Sequence, residues 1–321
     1  MTVSGAIKTI ETATDRPAEY SWRQQSCPLC PKSTTRLLGR RGGAAHRLGL
    51  GVVSLIYQCR GCGLIFPDPM PIPSQIAEHY GDAEKYFLEH PLEGKVAAYE
   101  SVVNAIEELG LRDGRLLDIG AGRGEMLRAA TARGWKAVGL EPSSNFARFA
   151  REYSGAEVVE AKLEDRPFES ESFDVVTLGA VLEHVFNPVE LLTEINRVLR
   201  PGGMLWLDVP NEAGAFYRLG NVYQRLKGRD WVVNLSPTFP PYHVFGFTPR
   251  ALSALMNLTG FDVVKFKTYA TGAVIETRES PVPNYIRPVI RWLLGLGEHI
   301  GAGTYMDAWA IKRSPAGNNH G

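Results

Sequence analysis

The sequence predicts an α/β protein: a doubly wound, mostly parallel sheet of seven strands with a small cysteine-bearing module ahead of it. Three observations carry that expectation. Short apolar runs alternate with helical segments from about residue 95 onward. A turn rich in glycine, "LLDIGAGRGEML" at residues 116–127, follows the first of those runs. All four cysteines fall early, in "CPLC" and "CRGC".

A chain of 321 residues with 44% hydrophobic content can bury one large α/β domain and an appendage. Thirty-five basic residues balance thirty-five acidic ones. No global field therefore draws in nucleic acid or an anionic membrane, and nucleic acid is not the expected partner. The N-terminal stretch is polar and irregular, with no apolar core of the kind a signal peptide needs. No apolar run approaches the roughly 20 residues of a membrane span. The expected compartment is the cytoplasm.

Residues 1–22 are expected to be disordered. Residues 23–68 hold Cys27, Cys30, Cys59 and Cys62. Each C-x-x-C turn aims two sulfurs at one point, which suits the tetrahedral thiolate shell of structural zinc. Disulfides and a redox pair are the alternatives. A reducing compartment argues against the first, and neither pair opens a helix in a βαβ unit, which argues against the second. The long tip between the pairs, "RLLGRRGGAAHR", is locally basic. The prolines of "GLIFPDPMPIP" forbid a helix and imply an extended connector, with short helices over 74–90, so residues 69–94 link the ribbon to the main domain.

The main domain is expected over 95–313, with 314–321 as a disordered tail. It begins with a helix that places Val96, Tyr99, Val103, Ile106 and Leu109 at helical spacing and stops at Gly110. Strands are expected at 115–119, 136–140, 157–161, 173–178 and 204–209, and helices at 124–132, 143–153 and 188–199. The last helix has Asn187 as N-cap and Pro188 at its first position. Such alternation implies a parallel sheet with helices on both faces. Strands at 261–268 and 305–312 complete seven. An insertion, 211–247, separates the fifth strand from the sixth.

In a doubly wound sheet the ligand lies beyond the carboxyl ends of the strands, where the first strand turns into its helix. A dinucleotide loop would repeat glycine as G-x-G-x-x-G, but position 125 is Glu. The spacing is G-x-G-x-G over Gly120, Gly122 and Gly124, after Asp118. A pyrophosphate would be repelled by Asp118 and Glu125, whereas a ligand with a cationic amino group tolerates an acid there. Glu141 ends the next strand, where a carboxylate accepts both hydroxyls of a ribose. A cationic aminoacyl group plus a ribose describes S-adenosylmethionine.

"LLDIGAGRGEML", "AVGLEPS", "FDVVTLGAVLEHV" and "EINRVLRPGGMLWLDVPN" resemble successive motifs of the class I S-adenosylmethionine-dependent methyltransferases, over about residues 95 to 312. The resemblance implies a Rossmann-like methyltransferase sheet. It implies that Asp118 and the backbone of Gly120, Ala121, Gly122 and Gly124 face the methionine part of the cofactor. It likewise implies that Glu141 with Pro142 meets the ribose, that Leu163 offers its backbone to the adenine, and that Gly179 borders the same crevice. Many relatives carry an acid where this chain has Lys162; here either Glu164 substitutes or the contact is lost. "YQCRGCGLIFPDPMP" followed by "HYGDAEKYF" resembles the zinc-binding module fused to sugar methyltransferases, including deoxysugar C-methyltransferases. Those carry a further C-terminal domain, whereas this sequence ends near its seventh strand. The expected acceptor is accordingly a small molecule, a sugar, glycoside or secondary metabolite.

Methyl transfer needs a nucleophile aligned with the methyl group and, for a hydroxyl or carbon acid, a base. His184 in "LEHV" follows the fourth strand, and His243 in "FPPYHVFGF" lies in the insertion beside Tyr242. These three are the candidate catalytic residues, with packing and capping as the alternative. The insertion also holds Phe216, Tyr217, Tyr223, Trp231, Phe239, Phe245 and Phe247, an aromatic lining for an acceptor or else packing under a long loop. No cysteine follows Cys62, so a covalent cytosine mechanism has no nucleophile. An RNA methyltransferase using the basic ribbon and a non-catalytic zinc scaffold are the other function classes.

Overall fold

The computed structural model describes residues 20–74, 92–270 and 301–314. The short helices expected at 74–90 and most of the tail expected at 314–321 lie outside the described residues, as do residues 1–19.

The N-terminal module is built from β1 (Tyr20–Arg23), β2 (Thr35–Arg41), β3 (Ser54–Cys59), β4 (Ile65–Pro67) and β5 (Met70–Pro73). β2, β3 and β4 form an antiparallel sheet. β1 pairs antiparallel with β5. Residues 20–22, the described end of the stretch expected to be disordered, thus lie in a strand. The prolines at 71 and 73 also sit in a strand, which is possible because β5 is an edge of a two-stranded ribbon.

α1 (Leu92–Glu108) leads into the main sheet. Its Val103 and Ile106 are buried as the periodicity predicts, but Leu109 lies past the last turn and is exposed. The sheet contains β6 (Arg115–Ile119), β7 (Lys136–Leu140), β8 (Glu157–Val159), β9 (Phe173–Gly179), β10 (Leu199–Pro210), β11 (Phe261–Tyr269) and β12 (Tyr305–Lys312). Their spatial order is β11-β12-β10-β9-β6-β7-β8. β6 to β10 run parallel, and β12 is antiparallel to both of its neighbours. β9 is buried along almost its whole length, as a strand covered on both faces must be. β8 stops two residues short of the expected end.

The covering helices are α2 (Glu125–Ala132), α3 (Ser144–Ser154), α4 (Pro188–Val198), α5 (Ala215–Leu226) and α6 (Pro249–Leu258). Ser143, Asn187 and Thr248 cap α3, α4 and α6 through their side chains. No helix among the described residues is long and apolar enough to cross a membrane. One apolar cluster runs from Leu64, Phe66 and Met70 of the N-terminal module through Phe245 and Phe247 of the insertion to Leu178, Leu205 and Leu207 of the sheet. The module is thus packed into the main core.

Candidate functional site

The first strand ends at the middle of the sheet, and its loop is bent by three glycines in left-handed backbone: Gly120 at φ 69°, Gly122 at 51° and Gly124 at 84°. A side chain at Gly120 would lie 2.5 Å from the Val181 Cγ2, so that glycine is also required for space. The Gly122 position is open, with nothing nearer than 3.8 Å. Glu141 closes the loop against β7. Its Oε2 accepts from the Gly122 amide at 2.9 Å and its Oε1 from the Ser143 amide at 2.9 Å. Burial raises the Glu141 carboxyl, and those two amides pull it back down.

Asp118 is buried and accepts from the Thr177 hydroxyl at 2.7 Å. Burial pushes its carboxyl up to about 7, the Thr177 hydrogen bond opposes this, and Glu125 and Glu141 add to it. A buried acid held that high has a large gain available from a cationic partner. Beside the open Gly122, this donor set fits the aminoacyl end of S-adenosylmethionine. Glu125 needs one correction: its charge is met by the buried Arg123, 2.8 Å away through Nε, so Asp118 is the uncompensated acid of the loop. Leu163 is buried in a short 3-10 turn, Leu163–Asp165, while Glu164 and Pro142 are exposed. Asp165 rather than Glu164 closes that turn, accepting from the Lys162 amide at 3.0 Å. Gly179 ends β9 against Tyr99 and Trp206, where a Cβ would stand 3.0 Å from the Tyr99 hydroxyl.

Across the sheet midline, β9 gives way to a second short turn, Leu182–His184. The structure brings His184 and His243 together there, with ring centroids 4.9 Å apart and near-perpendicular planes. Between them stands a residue that the sequence reading did not single out. Glu183 is buried, and its Oε1 lies 3.9 Å from His184 Nε2 and 3.8 Å from His243 Nε2. Those separations exceed hydrogen-bond length, so the acid faces both rings without being bound to either. Its backbone carbonyl accepts from the amides of Val244 and Phe245 at 2.9 and 3.2 Å, which fixes the insertion on this turn. Tyr242 reaches the pair through its backbone, which lies against the His184 ring.

Burial sets the electrostatics here as well. It raises Glu183 to about 8, helped by Asp208 and Glu212. It lowers His184 to about 4 and His243 to about 3, the latter also through the neighbouring His184 ring. Both imidazoles are therefore neutral near pH 7, and burial makes each a weaker base than an exposed histidine. Asp208, bound by the Tyr269 hydroxyl at 2.9 Å, and Glu212, bound by Asn234 Nδ2 at 2.6 Å, are each raised to about 7 by burial. The aromatic residues of the insertion divide. Phe239, Phe245 and Phe247 are buried as core, and Tyr223 is exposed. Tyr217 sits among Glu212, Tyr305 and Glu183.

The ligand atoms of Cys27, Cys30, Cys59 and Cys62 all lie within 4.8 Å of one another, with Cys27 Sγ and Cys62 Sγ 3.5 Å apart, and none is in a disulfide. Zinc–sulfur bonds of about 2.3 Å at tetrahedral angles place sulfurs about 3.8 Å apart, so the donor set fits that ion. Burial pushes the Cys59 thiol up, but the Cys62 amide, Ser33 and the neighbouring thiols outweigh it and hold Cys59 at about 6.

Residues 117–207 match the family described as a methyltransferase domain. An uncharacterised protein of Methanocaldococcus jannaschii is 30% identical over 158 residues, covering 49% of this chain and 69% of that one. A ubiquinone biosynthesis O-methyltransferase of Nitrosomonas europaea is 27% identical over 210 residues, covering 60% and 82%. A crystal structure of a SAM-dependent methyltransferase from Archaeoglobus fulgidus superposes with a TM-score of 0.50 at 19% identity, over 71% of this chain and 99% of that one, a likeness of fold. With its glycine loop, its sheet order and this match in register, the chain belongs to the class I S-adenosylmethionine-dependent methyltransferases.

Proposed function

We propose that this enzyme methylates a small-molecule acceptor, a sugar, glycoside or secondary metabolite, with His184 or His243 as general base. The observation that carries the reading is the meeting of His184, His243 and Glu183 at the carboxyl edge of β9, next to β6, the strand that carries Asp118. Asp118, Gly120, Ala121, Gly122 and Gly124 hold the aminoacyl end of the cofactor, Glu141 and Pro142 its ribose, and Leu163, Glu164 and Gly179 border the adenine side. The cofactor supplies a methyl group already activated by positive sulfur. A neutral imidazole removes the proton of the acceptor nucleophile as that nucleophile takes the methyl. Glu183, kept largely protonated near pH 7 by burial, faces both imidazoles, and a positive charge formed on either ring favours its ionised form. The ubiquinone O-methyltransferase named above supports a small acceptor, since hydroxyl methylation calls for a base of this kind.

Cys27, Cys30, Cys59 and Cys62 hold one structural zinc ion in this reading. Metal analysis of the purified chain is expected to give about one zinc per molecule, and a zinc-free preparation of full stability would exclude it. A second reading, methylation of RNA, is favoured by one observation: Arg36, Arg60 and Arg250 line an open cavity of about 370 Å³ beside the cysteines. Methyl-labelled cofactor offered to small-molecule acceptors and to RNA separates the two. Transfer to a small acceptor with weak, non-specific RNA retention supports the first reading; methylated RNA overturns it.

A further inference from the structure

We propose that the cysteine module serves the acceptor side of the enzyme from within the chain, gripping residues 230–246 of the insertion so that His243 stands opposite Glu183, with Arg41 as the positioning residue of that grip. The inference rests on the reading that His243 faces the acceptor.

The grip has three parts. At one edge β2 holds the insertion by backbone. The Arg40 amide donates to the Asp230 carbonyl at 2.8 Å and the Val232 amide to the Arg40 carbonyl at 3.0 Å. Here the backbones come so close that a Cβ on Gly39 would lie 2.3 Å from the Asp230 carbonyl oxygen. At the other edge β4 does the same, with Ile65 and Gly246 exchanging both hydrogen bonds at 2.9 and 2.8 Å. Between these edges the loop after β2 is tied by Thr238, whose hydroxyl accepts from the Val52 amide at 2.9 Å and donates to the Val52 carbonyl at 3.0 Å. Under the grip, Ile56 and Ile65 of the module pack with Val232 and Leu235 of the insertion in a small core of their own.

Arg41 fills the middle. Its Nε donates to the Leu235 carbonyl at 3.0 Å and its Nη1 to the Val232 carbonyl at 3.4 Å, while its guanidinium carbon lies 5.0 Å from the centre of the Phe239 ring. The charge is not spent on a surface acid. It faces Glu212 and Tyr217, the acid and phenol that both bear on Glu183. Glu212 in turn accepts from Asn234 and the Leu235 amide, so Arg41 and Glu212 hold the same loop, one by its carbonyls and the other by its donors. The last links are short. The His243 amide donates to the Ser236 hydroxyl at 3.3 Å, and the two residues after His243 bond the Glu183 carbonyl. The same strands β2, β3 and β4 border the cysteine turns, since Cys59 closes β3 and its amide donates to the Leu64 carbonyl at 2.9 Å. A metal that orders those turns therefore orders the strands that hold the insertion. None of these contacts touches the glycine loop or Glu141.

The test uses the full chain and three variants, Arg41→Ala, Arg41→Lys and Thr238→Val, together with wild type treated with 1,10-phenanthroline. Three quantities are read: hydrogen exchange of peptides over 228–247 and over 116–141, the rate at which diethyl pyrocarbonate modifies His243, and S-adenosylhomocysteine affinity by calorimetry. The expected result for Arg41→Ala and for the chelated protein is exchange faster by tenfold or more over 228–247, faster modification of His243, and unchanged exchange over 116–141 with unchanged affinity. Arg41→Lys, which keeps the charge and one donor, restores part of the protection; Thr238→Val gives a smaller change in the same direction and serves where Arg41→Ala does not fold. Equal exchange over 228–247 in every sample overturns the proposal, as does parallel loss of protection over 116–141, which would make the module a general stabiliser. No acceptor is needed for these readings. The proposal can thus fail while turnover by His243 variants still supports the base, and the reverse.

Discussion

On the cofactor side of the sheet, the carboxylate of Glu141 is bound by amides 19 and 2 positions away in sequence. On the acceptor side, Arg41 bonds a carbonyl 194 positions away, Arg40 an acid 190 away, and Thr238 a backbone amide 186 away. Both regions lie at the carboxyl edge of one sheet, and both are built around buried acids. They differ in how they are closed. The first needs one strand–loop–helix–strand unit, whose loop-closure cost is met within that unit. The second needs three distant pieces of chain to arrive together. A local site resists remote damage, whereas an assembled one is sensitive to every piece that holds it.

The sharpest way to break this contrast is to remove the proposed bases. His184→Ala and His243→Ala are each expected to slow single-turnover methyl transfer by about 10²–10⁴ with cofactor affinity intact. Wild-type rates in both, at every pH, would show that neither histidine is the base, leaving alignment alone or a base elsewhere. Next in size is the cofactor side. Asp118→Ala and Glu141→Ala are expected to weaken S-adenosylhomocysteine by about 1–3 kcal/mol in calorimetry, since each loses a charge-assisted contact, without changing the exchange of residues 228–247. Unchanged affinity in both variants would dissolve the assignment of that side.

A pH series sharpens the same comparison. Asp118 is held at about 7 by burial and must be ionised to meet the cofactor's cationic amino group. Affinity should therefore rise with pH through about 7, by at most tenfold per unit below it, and Asp118→Asn should flatten that slope. The stability of the unliganded protein runs the other way. A carboxyl raised on folding contributes stability that is present below its ordinary value near 4 and is lost as pH rises through its folded value. Asp118, Asp208 and Glu212 at about 7 and Glu183 at about 8 all act in this sense. Thermal midpoints without ligand should fall between pH 5 and pH 8, roughly the window these shifts define; a flat profile would mean that the acids are solvated in solution. The smallest expected effect is Asp230→Ala. Its ion pair with Arg40 is exposed on both sides, so a change of about 0–1 kcal/mol in stability is expected. A larger loss would mean that the surface pair, and not Arg41, carries the grip.

The same contrast governs what the sequence discloses. Asp118, the three glycines and Glu141 fall within one short stretch whose periodicity and spacing announce a strand, a bent loop and a helix, and five parallel strands with their helices are readable the same way. Boundaries shift where packing decides: β8 is cut to three residues, and Leu109 leaves its apolar stripe because the helix ends before it. Glu183, next to His184, is hardly legible from the sequence. Its one signal is an acid inside the apolar run "AVLEHV", a position where burial of a charge needs a reason. Arg41 and Glu212 carry no local signal, because each acquires its role only from residues folded against it from elsewhere. Phe245 and Phe247 show the converse: aromatic side chains in a loop looked like a lining, and the apolar cluster claims them.

The paired exchange of hydrogen bonds between Ile65 and Gly246 has a consequence for anyone building chimaeras of this enzyme. A crossover placed between residues 94 and 95, where the sequence suggests a domain border, would separate two segments that pair backbone to backbone. The heritable block is discontinuous: residues 35–67 travel with 228–247 and with the sheet residues against which both pack. Recombination that respects this pairing should transplant acceptor preference as a unit, and shuffling that ignores it should yield proteins that bind cofactor and transfer nothing.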